Sequence, residues 1–130
     1  MTNGYWCILF ATLLPYVFTI IAKSGMKLKE NQAPREYLKK REGYQKRADW
    51  AQQNSFEGLP GFIGAVLVAH AVQAPQASID ILAGVYVLCR VIYGAAYILN
   101  FPYIRSLAWG VGILCIIGMF VAGAGGFDLS

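Results

Sequence analysis

Residues 79–99 read IDILAGVYVLCRVIYGAAYIL. The run has about the ~20 apolar residues that a helix needs to cross a bilayer. One arginine, Arg90, sits near its middle. A cation at that depth is costly, so it needs a partner or a ligand. This stretch predicts a membrane helix and marks where to look for a polar site.

Working outward, three more apolar runs appear: 5–22, 56–74 and 103–124. Gln73–Ser78, with Pro75 inside it, separates the second run from the third. Asn100-Phe101-Pro102 separates the third from the fourth. Residues 23–54 are polar, with a short helix expected from Pro34 and a break at Gly43. Met1–Tyr5 carries no basic residue, so the first run reads as a retained helix rather than a cleaved signal. Pro15 is expected to kink it mildly. The expected fold is one all-α membrane domain, residues 1–130, built as a four-transmembrane-helix bundle. The hydrophobic fraction of 57% exceeds the roughly 45–50% of soluble domains and agrees with this.

Charge sets the orientation. Residues 23–54 hold nine Lys/Arg against four Asp/Glu, whereas the rest of the chain holds Arg90 and Arg105 against Glu57, Asp80 and Asp128. By the positive-inside rule the long loop and the Arg105 turn are cytoplasmic, and both termini lie opposite. The basic loop is expected to meet anionic lipid headgroups. No nucleic-acid motif is present, and nucleic acid is not an expected partner. Cys7, Cys89 and Cys115 lie far apart inside apolar runs and form no disulfide framework. His70 has no second ligand in range, so no metal site is expected. Trp6, Trp50 and Trp109 read as interface anchors or packing residues. Gly61, Gly64, Gly94 and Gly110 are candidates for close helix approach.

The polar residues in or near the spans are few. At ~100° per residue, Arg90, Tyr93 and Tyr97 share a stripe about 60° wide. Arg47, Asn54 and Glu57 share one side of the helix leading into the second run. Arg105 and Ser106 open the fourth. By depth, these residues outline a polar pocket open to the cytoplasm. Guanidinium groups there would pair the carboxylates of a small polar ligand. The competing reading is that Arg90 and Glu57 pair with each other and only hold helices together.

Arg47-Ala48, followed by Ala51-Gln52-Gln53-Asn54-Ser55-Phe56-Glu57-Gly58-Leu59-Pro60-Gly61-Phe62, resembles a signature of the MAPEG superfamily, the membrane-associated proteins in eicosanoid and glutathione metabolism. Arg90, Tyr93 and Tyr97, followed by Pro102-Tyr103-Ile104-Arg105-Ser106, resemble its second signature. The likeness spans nearly the whole chain and is nearest to short bacterial-type members. It implies a homotrimer of four-helix bundles in the bacterial inner membrane, with glutathione bound between subunits. Arg47, Asn54, Glu57, Arg90, Tyr93 and Tyr97 would bind glutathione, and Arg105 with Ser106 would stand by the thiol as the catalytic pair. The implied activity is a glutathione-dependent transferase or peroxidase acting on a lipophilic small-molecule substrate drawn from the membrane lipids. The alternative is a non-catalytic glutathione- or lipid-binding scaffold of the same fold. A small drug exporter is disfavoured, because the first run has no membrane carboxylate for proton coupling.

Overall fold

The computed structural model describes residues 1–130. It is all helix, without strands. The elements are α1 (Asn3–Ala22), a 3-10 turn (Leu28–Gln32), α2 (Pro34–Lys39), α3 (Gly43–Ala71), α4 (Gln76–Ile98) and α5 (Pro102–Gly123).

The starts and stops follow from local chemistry. The Thr2 side chain accepts from Tyr5 N–H and caps α1. Pro34 and Pro102 begin α2 and α5, where a missing N–H costs nothing. Gly43 takes a positive φ of 61° and turns the chain into α3. At the far end of α3, Gln73 (φ 61°) reverses the chain, and after α4 Asn100 (φ 65°) does the same. Asparagine tolerates that region better than most residues.

Three helices are long and apolar enough to cross a membrane: α1, α4 and α5. The expected 56–74 run falls on the C-terminal part of α3, which ends at Ala71. α3 is not among the three, and Asn54, Glu57, Pro60 and His70 make it visibly less apolar. At 1.5 Å per residue α3 is about 43 Å long, more than a ~30 Å hydrocarbon core. Its first turns carry Lys46, Arg47 and Asp49, while its C-terminal half is mostly apolar.

α3 and α4 form the centre. α1 packs on both of them, and α5 packs on both from the other side. One end of the bundle is closed by a core that includes Phe62, Val66, Ile79, Tyr86, Cys115 and Met119. Phe62 and Tyr86 stack with ring centroids 4.1 Å apart and planes 8° from parallel. Nearer the long loop, Phe18, Ala51, Tyr93 and Ala108 form a smaller cluster. Tyr37 and Leu38 of α2 are pinned against Ala22 and Ala48.

Of the four candidate glycines, only Gly94 allows a close approach. A Cβ there would fall within the Phe18 ring. Gly64 and Gly110 face open space, and Gly61 has ordinary clearance from Ile116 at 3.8 Å. Small residues on a helix mark close contact only where a neighbour is aimed at them. Outside the core, large apolar side chains are turned outward: Phe10 is 61% exposed, Ile20 71%, Leu107 69% and Leu114 65%. Only 29 of 130 residues are buried. Such a surface suits lipid as solvent, not water. The three cysteines are free, as their spacing implied.

Candidate functional site: a polar groove between α3, α4 and α5

Arg90 reaches from the middle of α4 toward α3 and is 5% exposed. Its Nη2 donates to Asn54 Oδ1 at 2.8 Å and to Ser55 Oγ at 3.0 Å. Its guanidinium lies over the Tyr93 ring, 4.2 Å from the centroid. Arg90 Nε is buried without a partner. A guanidinium can only donate. The oxygen of Asn54 must therefore face Arg90, leaving the amide nitrogen pointed elsewhere.

Arg90 does tie α4 to α3, but through Asn54 and Ser55 and not through Glu57. Arg90 and Glu57 do not pair; the sole ion pair in the chain is Lys39–Glu36 at 3.5 Å on the surface. Glu57 is exposed and has no hydrogen-bond or ion-pair partner within the chain. The Arg90 charge is instead met by neutral acceptors and an aromatic face, a mode that suits a desolvated cation.

Arg105, at the start of α5, lies over the Tyr97 ring at 4.6 Å. Tyr97 meets Tyr93 edge-on, with ring centroids 5.7 Å apart and planes at 85°. Arg90, Tyr93, Tyr97 and Arg105 thus form a ladder of two stacked-on rings between two cations, from the depth of the bundle to its mouth. Nothing in the ladder neutralises Arg105, which is half-buried and has no carboxylate beside it.

Three adjoining cavities open along this ladder, and Asn54 walls all three. One of about 330 Å³ is lined by Trp50, Gln53, Asn54, Glu57, Tyr93 and Tyr97. One of about 260 Å³ is lined by Asn54, Tyr93, Tyr97, Arg105, Ser106 and Trp109. One of about 280 Å³ runs deeper, past Glu57, Arg90 and Trp109 to Tyr86, Gly112 and Ile113. Volumes near 300 Å³ fall at the lower end of small-molecule sites.

Of the residues singled out from the sequence, Asn54, Glu57, Arg90, Tyr93, Tyr97, Arg105 and Ser106 all line this groove. Arg47 does not. Its Nε donates to Ile98 O at 3.0 Å, capping the C-terminal end of α4, where a cation meets the negative pole of the helix. Seven residues before Asn54, it lies on the same side of α3 but two turns away. Several residues in or behind the groove were not anticipated in this role, among them Ser55, Trp50 and Trp109. Ser55 is buried at 5% and shares the Arg90 donor. Trp50, one turn before Asn54, packs on Tyr97 with ring centroids 6.2 Å apart. Trp109, one turn after Arg105, walls two of the cavities. The i, i+4 spacing could have found both tryptophans. For Ser55 the sequence holds no signal, since a small hydroxyl in a helix usually serves packing.

The sequence profile of the MAPEG family matches residues 3–125. No curated protein and no solved structure matches the chain. With three helices fit to cross a bilayer and a family match over nearly its whole length, the chain belongs to the MAPEG family of membrane proteins.

Proposed function

We propose that the protein is a membrane-bound glutathione-dependent transferase or peroxidase, and that the groove holds glutathione with its thiol toward Arg105. One observation carries this reading: Arg105 is a cation held in place by an aromatic ring and left without a counter-anion at the mouth of a polar groove. Family membership supports glutathione as the thiol.

The residues present fit such a ligand. Glutathione carries carboxylates, peptide carbonyls, an ammonium and a thiol. Glu57 offers an unpaired carboxylate to the ammonium. Asn54 offers a donor to oxygen acceptors. Tyr93 and Tyr97 supply phenols and flat walls. Arg105 then faces the thiol, with Ser106 beside it.

Only the thiolate is a good nucleophile, and a free thiol titrates near ~8.5. Arg105 stabilises the anion and holds it away from bulk water. Lowering the thiol by about two units requires ~2.7 kcal/mol of differential stabilisation. A single cation in a site with little water can supply that. The electrophile is an apolar compound or lipid hydroperoxide that partitions from the bilayer, past the exposed apolar face of α5.

The same reading completes the assembly. The apolar part of α3 is the fourth span. Three chains form a homotrimer, the basic loop is cytoplasmic, the termini lie opposite, and the membrane is a bacterial inner membrane. The charge asymmetry of the loop supports its cytoplasmic side, and the length of α3 supports a fourth span.

The test is calorimetry of glutathione with the detergent-purified protein, followed by conjugation and hydroperoxide-reduction assays. Binding together with a rate that Arg105→Ala removes is expected. Absence of binding at millimolar glutathione would leave the fold and point to the lipid-binding scaffold.

A further inference from the structure

We infer that Arg90 and Ser55 act as positioning residues for Asn54, locking its side-chain amide so that the nitrogen faces the groove as an obligatory donor. The groove therefore requires an oxygen acceptor, a carboxylate or peptide carbonyl, at that point of its ligand. The inference deepens the glutathione reading and rests on it for the identity of the ligand.

The argument begins with the inventory of donors. Arg90 Nη2 reaches Asn54 Oδ1 at 2.8 Å and Ser55 Oγ at 3.0 Å. An asparagine amide can present either end to a neighbour that both donates and accepts. Guanidinium has no acceptor, so it accepts only one orientation. Arg90 is 5% exposed and Ser55 is also 5% exposed, so water does not compete for this contact. Ser55 Oγ accepts the second N–H of the same nitrogen and keeps the guanidinium from swinging away. The Tyr93 ring, 4.2 Å from the guanidinium carbon, fixes its plane.

Asn54 Nδ2 has no partner within the chain, and Asn54 is the one residue that walls all three cavities. A donor at that crossing meets any ligand that fills the groove. Glu57 lies three residues on along α3 and is acceptor-only when ionised. One helix thus presents a fixed donor and a free acceptor about 5–6 Å apart at Cβ. A ligand rich only in donors, such as a polyamine, is excluded at Asn54 by the same lock. Ordering the amide beforehand also removes part of the entropy cost of binding.

The test uses the full chain in detergent with glutathione as the probe, and each variant is melted alongside wild type. Asn54→Asp keeps an acceptor for Arg90 but replaces the donor with a second anion. It is expected to melt at or above wild type and to bind glutathione about 30-fold more weakly or worse. Arg90→Lys, which can only donate, still holds the Asn54 amide in one orientation but loses the flat contact on Tyr93, and is expected to bind glutathione about threefold more weakly than wild type. Arg90→Gln, which can offer either atom, frees the amide to turn over and weakens binding about tenfold. Ser55→Ala weakens it about threefold. In the wild type, the Asn54 side-chain amide cross-peak, identified by its loss in Asn54→Asp, shifts as glutathione is added. A merely structural Asn54 would not show that shift. If Asn54→Asp binds glutathione as well as wild type, the inference falls and the functional reading stands. Equal binding by Arg90→Lys and Arg90→Gln also overturns it. If wild type binds no glutathione, the functional reading falls. The lock is then judged by melting: Asn54→Asp at or above wild type upholds it, and a lower melting point overturns it.

Discussion

The two ends of the helix bundle are built from the same helices and differ in what they leave unpaired. At the end near the chain termini, Phe62 stacks on Tyr86, and Met119 and Ile79 fill the remaining space with almost no exposure. The polar groups present there are paired. Asp80 Oδ1 accepts from Gly4 N–H and from Gln76 Nε2, each at 2.8 Å, and buried Ser78 Oγ accepts from Leu129 N–H at 2.8 Å. At the loop end, Glu57 and Arg105 have no charged partner, Arg90 Nε has no partner, and three cavities remain open. A bundle that sought only stability would have closed both ends. The open end keeps unpaired polar groups in a region where they are costly, which makes it the candidate site.

The largest expected effect tests the closed end. Phe62 is fully buried, so Phe62→Ala should lower stability by about 3–5 kcal/mol, read from unfolding in detergent, while glutathione affinity per folded molecule is unchanged. A loss of affinity without loss of stability would mean the two ends are not separate. Next comes the open end. Arg105→Ala should lower the conjugation rate about 100-fold, the equivalent of ~2.7 kcal/mol, with little change in stability. Full activity with glutathione still bound would remove Arg105 from its role. The boundary between the two ends is sensitive at Gly94, where α4 meets Phe18. Gly94→Ala should cost about 1–3 kcal/mol and also disturb Tyr93, its neighbour in sequence. Gly64→Ala, which faces open space, should cost nothing measurable and serves as the control.

The smallest effect lies in the C-terminal tail. The hydroxyl and backbone N–H of Ser130 donate to Asp128, holding its carboxyl below the ordinary carboxylate value. A depressed folded-state value means the contact is fully present above the ordinary value and is lost as pH falls through the lowered one. Ser130→Ala should raise the Asp128 midpoint in a carboxyl NMR titration and leave the melting temperature at neutral pH unmoved. A midpoint that stays put would show that the tail contact is not formed in solution.

Much of this was legible in the sequence. The apolar runs, the basic loop and the Pro and Asn turns follow from composition and local chemistry, and the groove residues from helical spacing. Seven of the eight residues picked for the site line one groove, because a polar residue in an apolar helix has few reasons to be there. Where the side chains settled differently from the pattern, the causes are physical. Arg47 shares the right side of α3, but side-chain reach decided the outcome: its guanidinium found the end of α4 first. Arg90 and Glu57 have complementary charges, yet Arg90 turned to Asn54 and Ser55, which no charge pattern could forecast. The glycines show the same limit. Which of them a neighbour approaches depends on aromatic side chains from another helix, and that information is not local.

The central claim is that the open end binds glutathione and activates its thiol through Arg105. The most direct measurement is the ultraviolet thiolate absorbance of glutathione added to the detergent-purified protein, at a pH about one to two units below the free thiol value, with Arg105→Ala beside it. The account predicts a thiolate signal that saturates at one per site in wild type and is lost in Arg105→Ala while glutathione remains bound. Bound glutathione with no thiolate in wild type, or an equal signal in Arg105→Ala, would contradict it.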